Sequence, residues 1–69
     1  MNERLKYAEE VLETYLPQHP GGVTMEQILG EFRPKGIRES ELRAAIWTLR
    51  AAGRASFDQG KVYPAPVAA

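Results

Sequence analysis

The absence of cysteine is the strongest constraint on how this 69-residue chain can fold. Without cysteine there is no disulfide and no thiolate metal site, and His19, the single histidine, has no second imidazole with which to share a metal. A chain of this length holds one hydrophobic core, which by itself seldom supplies more than about 3 to 5 kcal/mol of stability. We therefore expect one small domain held by side-chain packing, with no metal, no cofactor and self-association as the one remaining aid.

Composition and charge narrow the class of protein. Hydrophobic residues make up 43% of the chain and charged residues 26%, which is typical of a folded domain rather than a disordered segment. No apolar run approaches the ~18 residues of a membrane span, and the N-terminus is charged rather than signal-like, so a cytoplasmic protein is expected. Nine basic and nine acidic residues give a formal charge of zero, which counts against binding nucleic acid by bulk electrostatics alone.

The first half of the chain predicts two helices. Residues 3–16 carry apolar side chains at helical spacing, and Pro17 disfavours helical geometry in the residue before it. Thr24, followed three residues later by Gln27, is a capping-box pattern that predicts the start of a second helix. Pro34 and Gly36 end this helix. Its buried face is predicted to contain Met25, Ile28, Leu29 and Phe32.

The second half predicts a third helix and a hairpin. From Glu39 onward apolar residues recur at helical spacing, and Gly53 supplies the left-handed residue that commonly closes a helix. The predicted buried face of this helix contains Leu42, Ile46 and Leu49. Residues 54–57 and 61–63 then suit two short strands around a turn. The sequence therefore predicts a mainly helical α+β domain over residues 1–63, a three-helix bundle with a helix-turn-helix and a two-stranded β-hairpin wing, followed by an extended tail over 64–69.

The chain resembles the winged-helix superfamily over residues 3–63. The resemblance depends mainly on SELRAAIWTLRAAGR, residues 40–54, which is similar to the third helix of that family and the start of its wing; TMEQIL, residues 24–29, is similar to the start of its second helix. The resemblance implies a small DNA-binding protein, a transcriptional regulator that reads duplex DNA with its third helix and wing.

Two departures limit what the resemblance carries over. Many relatives begin the third helix with Ser, Thr or Asp, whereas residues 36–39 here read GIRE, so the start of this helix is set only within a residue or two. Members that bind left-handed DNA place Asn and Tyr four residues apart on this helix. The aligned positions here hold Arg43 and Trp47, so that activity is not carried over.

The outward arc of the third helix supplies the candidate binding residues. In a DNA-binding member, arginine can donate two hydrogen bonds to guanine and serine can contact a base edge, while hairpin cations contact phosphates. The predicted nucleic-acid-binding residues are Arg38, Ser40, Arg43, Trp47, Arg50, Arg54 and Lys61.

Each candidate has an alternative interpretation. Arg38 and Arg43 lie near Glu39 and Glu41 and can be ordinary solvated surface. Trp47 either packs beneath the wing or anchors an interface. The rival hypothesis is a protein-interaction module or inhibitor on the same scaffold with Trp47 as its anchor. Charge segregation separates the two, because a DNA binder needs its arginines on one face and its carboxylates on another.

Catalysis is not expected, because there is no cysteine, one loop histidine, no glycine-rich phosphate loop and no carboxylate pair with a cleft between them. Tight specific DNA binding by so small a module would favour a homodimer on two half-sites. The candidate dimer surface on the first helix consists of Tyr7, Val11, Tyr15 and Leu16.

Overall fold

The computed structural model describes residues 3–64, which form three helices and three short antiparallel strands. The elements are α1 (Glu3–Tyr15), β1 (Val23–Thr24), α2 (Met25–Phe32), α3 (Glu39–Ala51), β2 (Ala55–Asp58) and β3 (Lys61–Pro64). Short 3₁₀ turns follow α1 at Leu16–Gln18 and α2 at Arg33–Lys35. The predicted mainly helical α+β fold, three helices followed by a hairpin, is confirmed.

The start of α2 has the predicted capping box. The Thr24 hydroxyl accepts a hydrogen bond from the Gln27 backbone N–H at 3.1 Å, and the Gln27 side-chain oxygen accepts one from the Thr24 N–H at 2.8 Å. The two residues satisfy each other's otherwise unpaired donors. Because Thr24 also ends β1, the same residue connects the sheet to the helix.

The N-terminus of α3 is capped by a side chain of the helix itself, that of Glu41. Arg38 occupies the N-cap position in extended geometry, and its backbone N–H donates to the Glu41 carboxylate at 2.9 Å. Arg4 of α1 donates from Nε to the same carboxylate at 2.6 Å and from Nη2 to the Gly36 carbonyl at 2.9 Å. The departure from a Ser, Thr or Asp cap is therefore compensated by Glu41, which also links the first turns of α1 and α3. The predicted start at Glu39 is confirmed.

The sheet has a third strand that the sequence did not predict. β1 pairs with β3 in the register Val23↔Val62 and Thr24↔Lys61, which gives the strand order β1-β3-β2. Val23 and Val62 are both fully buried. The expected two-stranded hairpin is thus one part of a three-stranded sheet. Strand β1 has only two residues, of which the second is also the N-cap of α2, and so short a strand shows no alternation in the sequence.

The hairpin turn is Gln59-Gly60, flanked by the Asp58↔Lys61 pair. Both turn residues have positive φ, 50° and 77°, as in the type I′ turn that matches the twist of a two-residue hairpin. β3 continues through Pro64, which pairs with Ala55, so the first residue of the predicted tail belongs to the sheet. The rest of that tail lies outside the described residues.

The core lies where α1 crosses α3 and the sheet covers their C-terminal ends. All of the buried residues among 3–64 are hydrophobic. They are Ala8, Leu12, Leu16, Val23, Ile28, Phe32, Ile37, Leu42, Ala45, Ile46, Leu49, Ala55 and Val62. Four of them come from α3, so one whole side of that helix is buried and the opposite side is left at the surface.

We expect Gly22→Ala to destabilise the domain by about 1 to 2 kcal/mol, because an L-residue in left-handed geometry has a cost of that size. Gly22 has a φ of 88°, and a Cβ there would lie 2.7 Å from Cε2 of the Tyr63 ring. Gly21→Ala is the matched control, since its Cβ would have no atom within 4 Å. Urea unfolding of both variants measures the difference; equal midpoints would contradict the close packing at Gly22.

Stability should fall as the Glu41 carboxylate is protonated. The hydrogen bond from Arg4, and then that from the Arg38 backbone, lowers the pKa of Glu41 from an ordinary value of 4.5 to about 2. Because the folded-state pKa is depressed, this stabilisation is present above about pH 4.5 and is lost as the pH falls toward 2. The urea midpoint of the wild type should therefore drop more steeply over that range than that of Glu41→Gln; parallel curves would contradict the assignment.

Candidate interaction surface on the third helix

Trp47 lies at the middle of the outward arc of α3. Leu42, Ala45 and Leu49 are buried on the opposite side, and at 100° per residue this directs the indole away from the core. The side chain is 69% exposed. Of the two interpretations of Trp47, the structure therefore supports the exposed one, in which the indole does not pack beneath the hairpin.

An open hollow lies beside Trp47, between α3, the start of α2 and strand β2. It has a volume of about 270 Å³. Its lining residues are Met25, Arg43, Ile46, Trp47, Arg50 and Phe57. We call it the Trp47 hollow. Phe57 is 49% exposed and Met25 is half-buried, whereas Ile46 is buried, with 8% of its surface exposed. Two of the three large exposed hydrophobic side chains among residues 3–64 thus lie on one surface.

Two guanidinium groups border the Trp47 hollow. The Arg50 guanidinium lies 5.6 Å from the centroid of the Trp47 ring, within the range of a cation–π contact. Arg43 pairs with Glu39 one turn earlier, with Nη2 and Oε2 2.8 Å apart. An exposed pair at this spacing contributes only about 0.3 to 0.5 kcal/mol. Both arginines are exposed. Because their contacts with Glu39 and Trp47 are weak, either guanidinium can leave its contact for a ligand at little cost in free energy.

The remaining predicted site residues do not line this hollow. Arg38 and Ser40 are exposed at the beginning of α3, and Lys61 is exposed beside the hairpin turn. Arg54 turns toward α1, where its Nη1 lies 2.8 Å from the Glu13 carboxylate. The structure thus brings Arg43, Trp47 and Arg50 together and places the other four elsewhere.

Charge segregation is incomplete. Five of the seven predicted DNA-binding residues are basic: Arg38, Arg43, Arg50, Arg54 and Lys61. Arg43 and Arg54 form ion pairs with carboxylates, and Lys61 is directly opposite Asp58 across β2 and β3. The acidic residues are therefore interspersed among the basic ones rather than confined to another face.

Three residues of the hollow were not among the predicted binding residues: Met25, Ile46 and Phe57. Met25 and Ile46 were assigned to helix faces packed in the core, and both do pack against it. The position of Phe57 could have been predicted from the alternation of side chains along its strand. Alternation places it on the same face of β2 as Ala55, which is 3% exposed, but two positions nearer the turn. Its position at the end of the hairpin leaves the ring half-exposed.

The proposed dimer surface on α1 needs one correction. Leu16 is buried at 1% exposure and cannot contribute to an external surface. Val11 and Tyr15 are half-buried, with the Tyr15 ring edge-on to Phe32 at 5.0 Å. Burial and, secondarily, the charge of Glu31 raise the pKa of Tyr15. Only Tyr7 of the four remains largely exposed, at 49%.

Searches for other kinds of site give negative results within residues 3–64. No helix in this part of the chain is long and apolar enough to cross a membrane. The same residues contain no cluster of three or more His, Cys, Asp or Glu side chains suited to a metal. Comparison of the chain with protein-family models, curated proteins and solved structures finds no match.

Trp47 is the single tryptophan, so its fluorescence reports directly on the exposure of the hollow. We expect a red-shifted emission that acrylamide quenches efficiently. Trp47→Ala should change the free energy of unfolding by no more than about 0.5 kcal/mol, as is usual for surface positions. Phe32→Ala, in the core, should cost about 3 to 5 kcal/mol. A blue-shifted, poorly quenched emission would contradict the exposed position.

Proposed function

We propose that this domain is a protein-interaction module, with the Trp47 hollow as its docking site. The observation that carries the proposal is an exposed tryptophan beside a half-exposed phenylalanine, bordered by two arginines. The centres of protein interfaces are enriched in aromatic residues, Met and Arg and depleted in Lys, Asp and Glu. The lining of the hollow has this composition and contains no lysine or carboxylate.

The residues of this surface are of the types that contribute most free energy when a partner protein binds. Tryptophan and arginine are the residues that most often dominate binding energy when a partner excludes water from them. An aromatic side chain buries about 150 to 250 Å² when covered, whereas Trp47 and Phe57 now leave most or half of their surface in water. Exposed apolar side chains that lie together and are rimmed by polar groups are a feature of protein-interaction sites.

Duplex DNA is the second candidate ligand, and one observation favours it. Arg38, Arg50 and Lys61 are exposed and take part in none of the ion pairs within residues 3–64. Together with the order of helices and hairpin, they support the proposal of a winged-helix regulator that reads DNA with α3 and the wing. The zero formal charge and the pairing of Arg43 and Arg54 place this proposal second.

A random peptide library displayed on phage tests the docking site. Peptides are selected on the wild-type domain, and their affinity for it is then compared with their affinity for Trp47→Ala. Because Trp47 lies at the surface, this variant should keep its fold. We expect selected peptides to bind Trp47→Ala at least about 30-fold more weakly, the ratio that corresponds to a hot-spot loss of about 2 kcal/mol. Tyr7→Ala, at the other exposed aromatic, is the control and should leave binding unchanged. Peptides that bind both variants alike would overturn the proposal.

Fluorescence anisotropy with a labelled random-sequence duplex at about 50 and 200 mM salt tests the DNA candidate. Saturable binding that weakens steeply with salt would support it. Arg43→Ala should then lower affinity and relax sequence preference, whereas Lys61→Ala should mainly reduce the salt dependence. The absence of binding at tens of micromolar protein would remove DNA from consideration.

Three other expectations remain predictions: that the protein is not an enzyme, that it is cytoplasmic, and that it forms a homodimer when it binds. The homodimer would have to use Tyr7 and its surroundings rather than Leu16, which is buried.

A further inference from the structure

The size of the Trp47 hollow restricts what can occupy it. Its volume of about 270 Å³ is near the lower end of the range of roughly 300 to 1,000 Å³ that is typical of small-molecule and cofactor pockets. The hollow is also open, with Trp47 and Phe57 on its rim rather than over it. These dimensions suit one bulky apolar side chain projecting from a protein segment.

Both charged residues that line the hollow are basic. Arg43 and Arg50 are the charged residues in its lining. They are seven residues apart on one helix, so their Cα atoms are separated by about 10 Å along the axis, with Trp47 between them. An extended segment advances about 3.3 Å per residue. Acidic residues about three positions apart in such a segment could therefore meet both guanidinium groups.

We infer that the partner is an acidic protein segment, which places an apolar side chain in the Trp47 hollow and carboxylates on Arg43 and Arg50. The inference rests on the proposed function and specifies the chemistry of the partner. A carboxylate can accept two hydrogen bonds from one guanidinium, a geometry that lysine does not offer. Arg50 takes part in none of the ion pairs within residues 3–64, so a partner's carboxylate would displace no other carboxylate from it.

Glu39 competes with the partner for Arg43. Its carboxylate already accepts a hydrogen bond from Arg43 Nε at 2.8 Å, and its negative charge repels an acidic segment. Removal of this charge in Glu39→Gln frees Arg43 while keeping a side chain of similar shape. An exposed pair of this strength corresponds to an increase in affinity of about twofold. A structural role for Glu39 would instead weaken binding.

The sequences and affinities of Trp47-dependent peptides test the inference. Such peptides, selected from the random library, should be enriched in Asp and Glu beside an aromatic or large aliphatic residue. For a synthetic peptide of the enriched sequence, Arg50→Gln should lower affinity by about tenfold, as expected for loss of a charge-assisted hydrogen bond. Glu39→Gln should raise it. Arg33→Gln is the matched control, because Arg33 is exposed on a different hollow beside Leu29 and Pro34.

The outcomes distinguish this inference from the proposed function. Trp47-dependent peptides without acidic enrichment, bound equally by Arg50→Gln and Arg33→Gln, would overturn the acidic partner and leave the docking site. A library that yields no Trp47-dependent peptide would overturn both. Duplex DNA whose affinity falls in Arg50→Gln, for a domain that selects no Trp47-dependent acidic peptide, would assign the surface to nucleic acid and likewise overturn the inference. Circular dichroism melting of each variant confirms that it is folded before its affinity is measured.

Discussion

The packing of α1 across α3 is the contact on which the rest of the domain depends. With no disulfide available, the buried faces of these two helices and the small sheet supply the core. Ala8 and Ala45, both fully buried, allow the helix backbones to approach closely. The Arg4 guanidinium then joins the first turn of α1 to Glu41 and Gly36. Because α3 contributes one entire side to this core, its opposite side is left at the surface.

The hairpin turns that free side of α3 into a shaped surface. β3 is held between β1 and β2, so the hairpin is joined to the rest of the domain along the outer edge of β3 rather than projecting as a single flap. The register that buries Val62 places its cross-strand neighbour Phe57 at the margin of the core, near Met25 and Ile46. The same burial that stabilises the sheet therefore positions an aromatic ring next to Trp47. The proposed docking site therefore lies where the hydrophobic core reaches the surface.

The helices could be predicted from sequence because periodicity, Thr24 with Gln27 and the glycine stops are local signals. Strand β1 could not, since two residues show no alternation and Val23 is recruited by pairing with a distant segment. The same limit applies to the site. Arg43, Trp47 and Arg50 share a face by helical spacing alone, whereas Phe57 meets them through tertiary packing. The turn of Arg54 toward Glu13 of α1 likewise depends on where α1 lies. Ion pairs between distant elements leave no pattern in the sequence.

The most direct test of the account is to map the bound surface on the ¹⁵N-labelled domain by NMR. A Trp47-dependent peptide is titrated into the protein, and amide and indole shifts are followed to saturation. The account predicts that the largest shifts fall on Met25, Arg43, Ile46, Trp47 and Phe57, while Tyr7 on α1 is unaffected. Shifts centred on α1, or on Arg38, Ser40 and Lys61 with the hollow unperturbed, would contradict it.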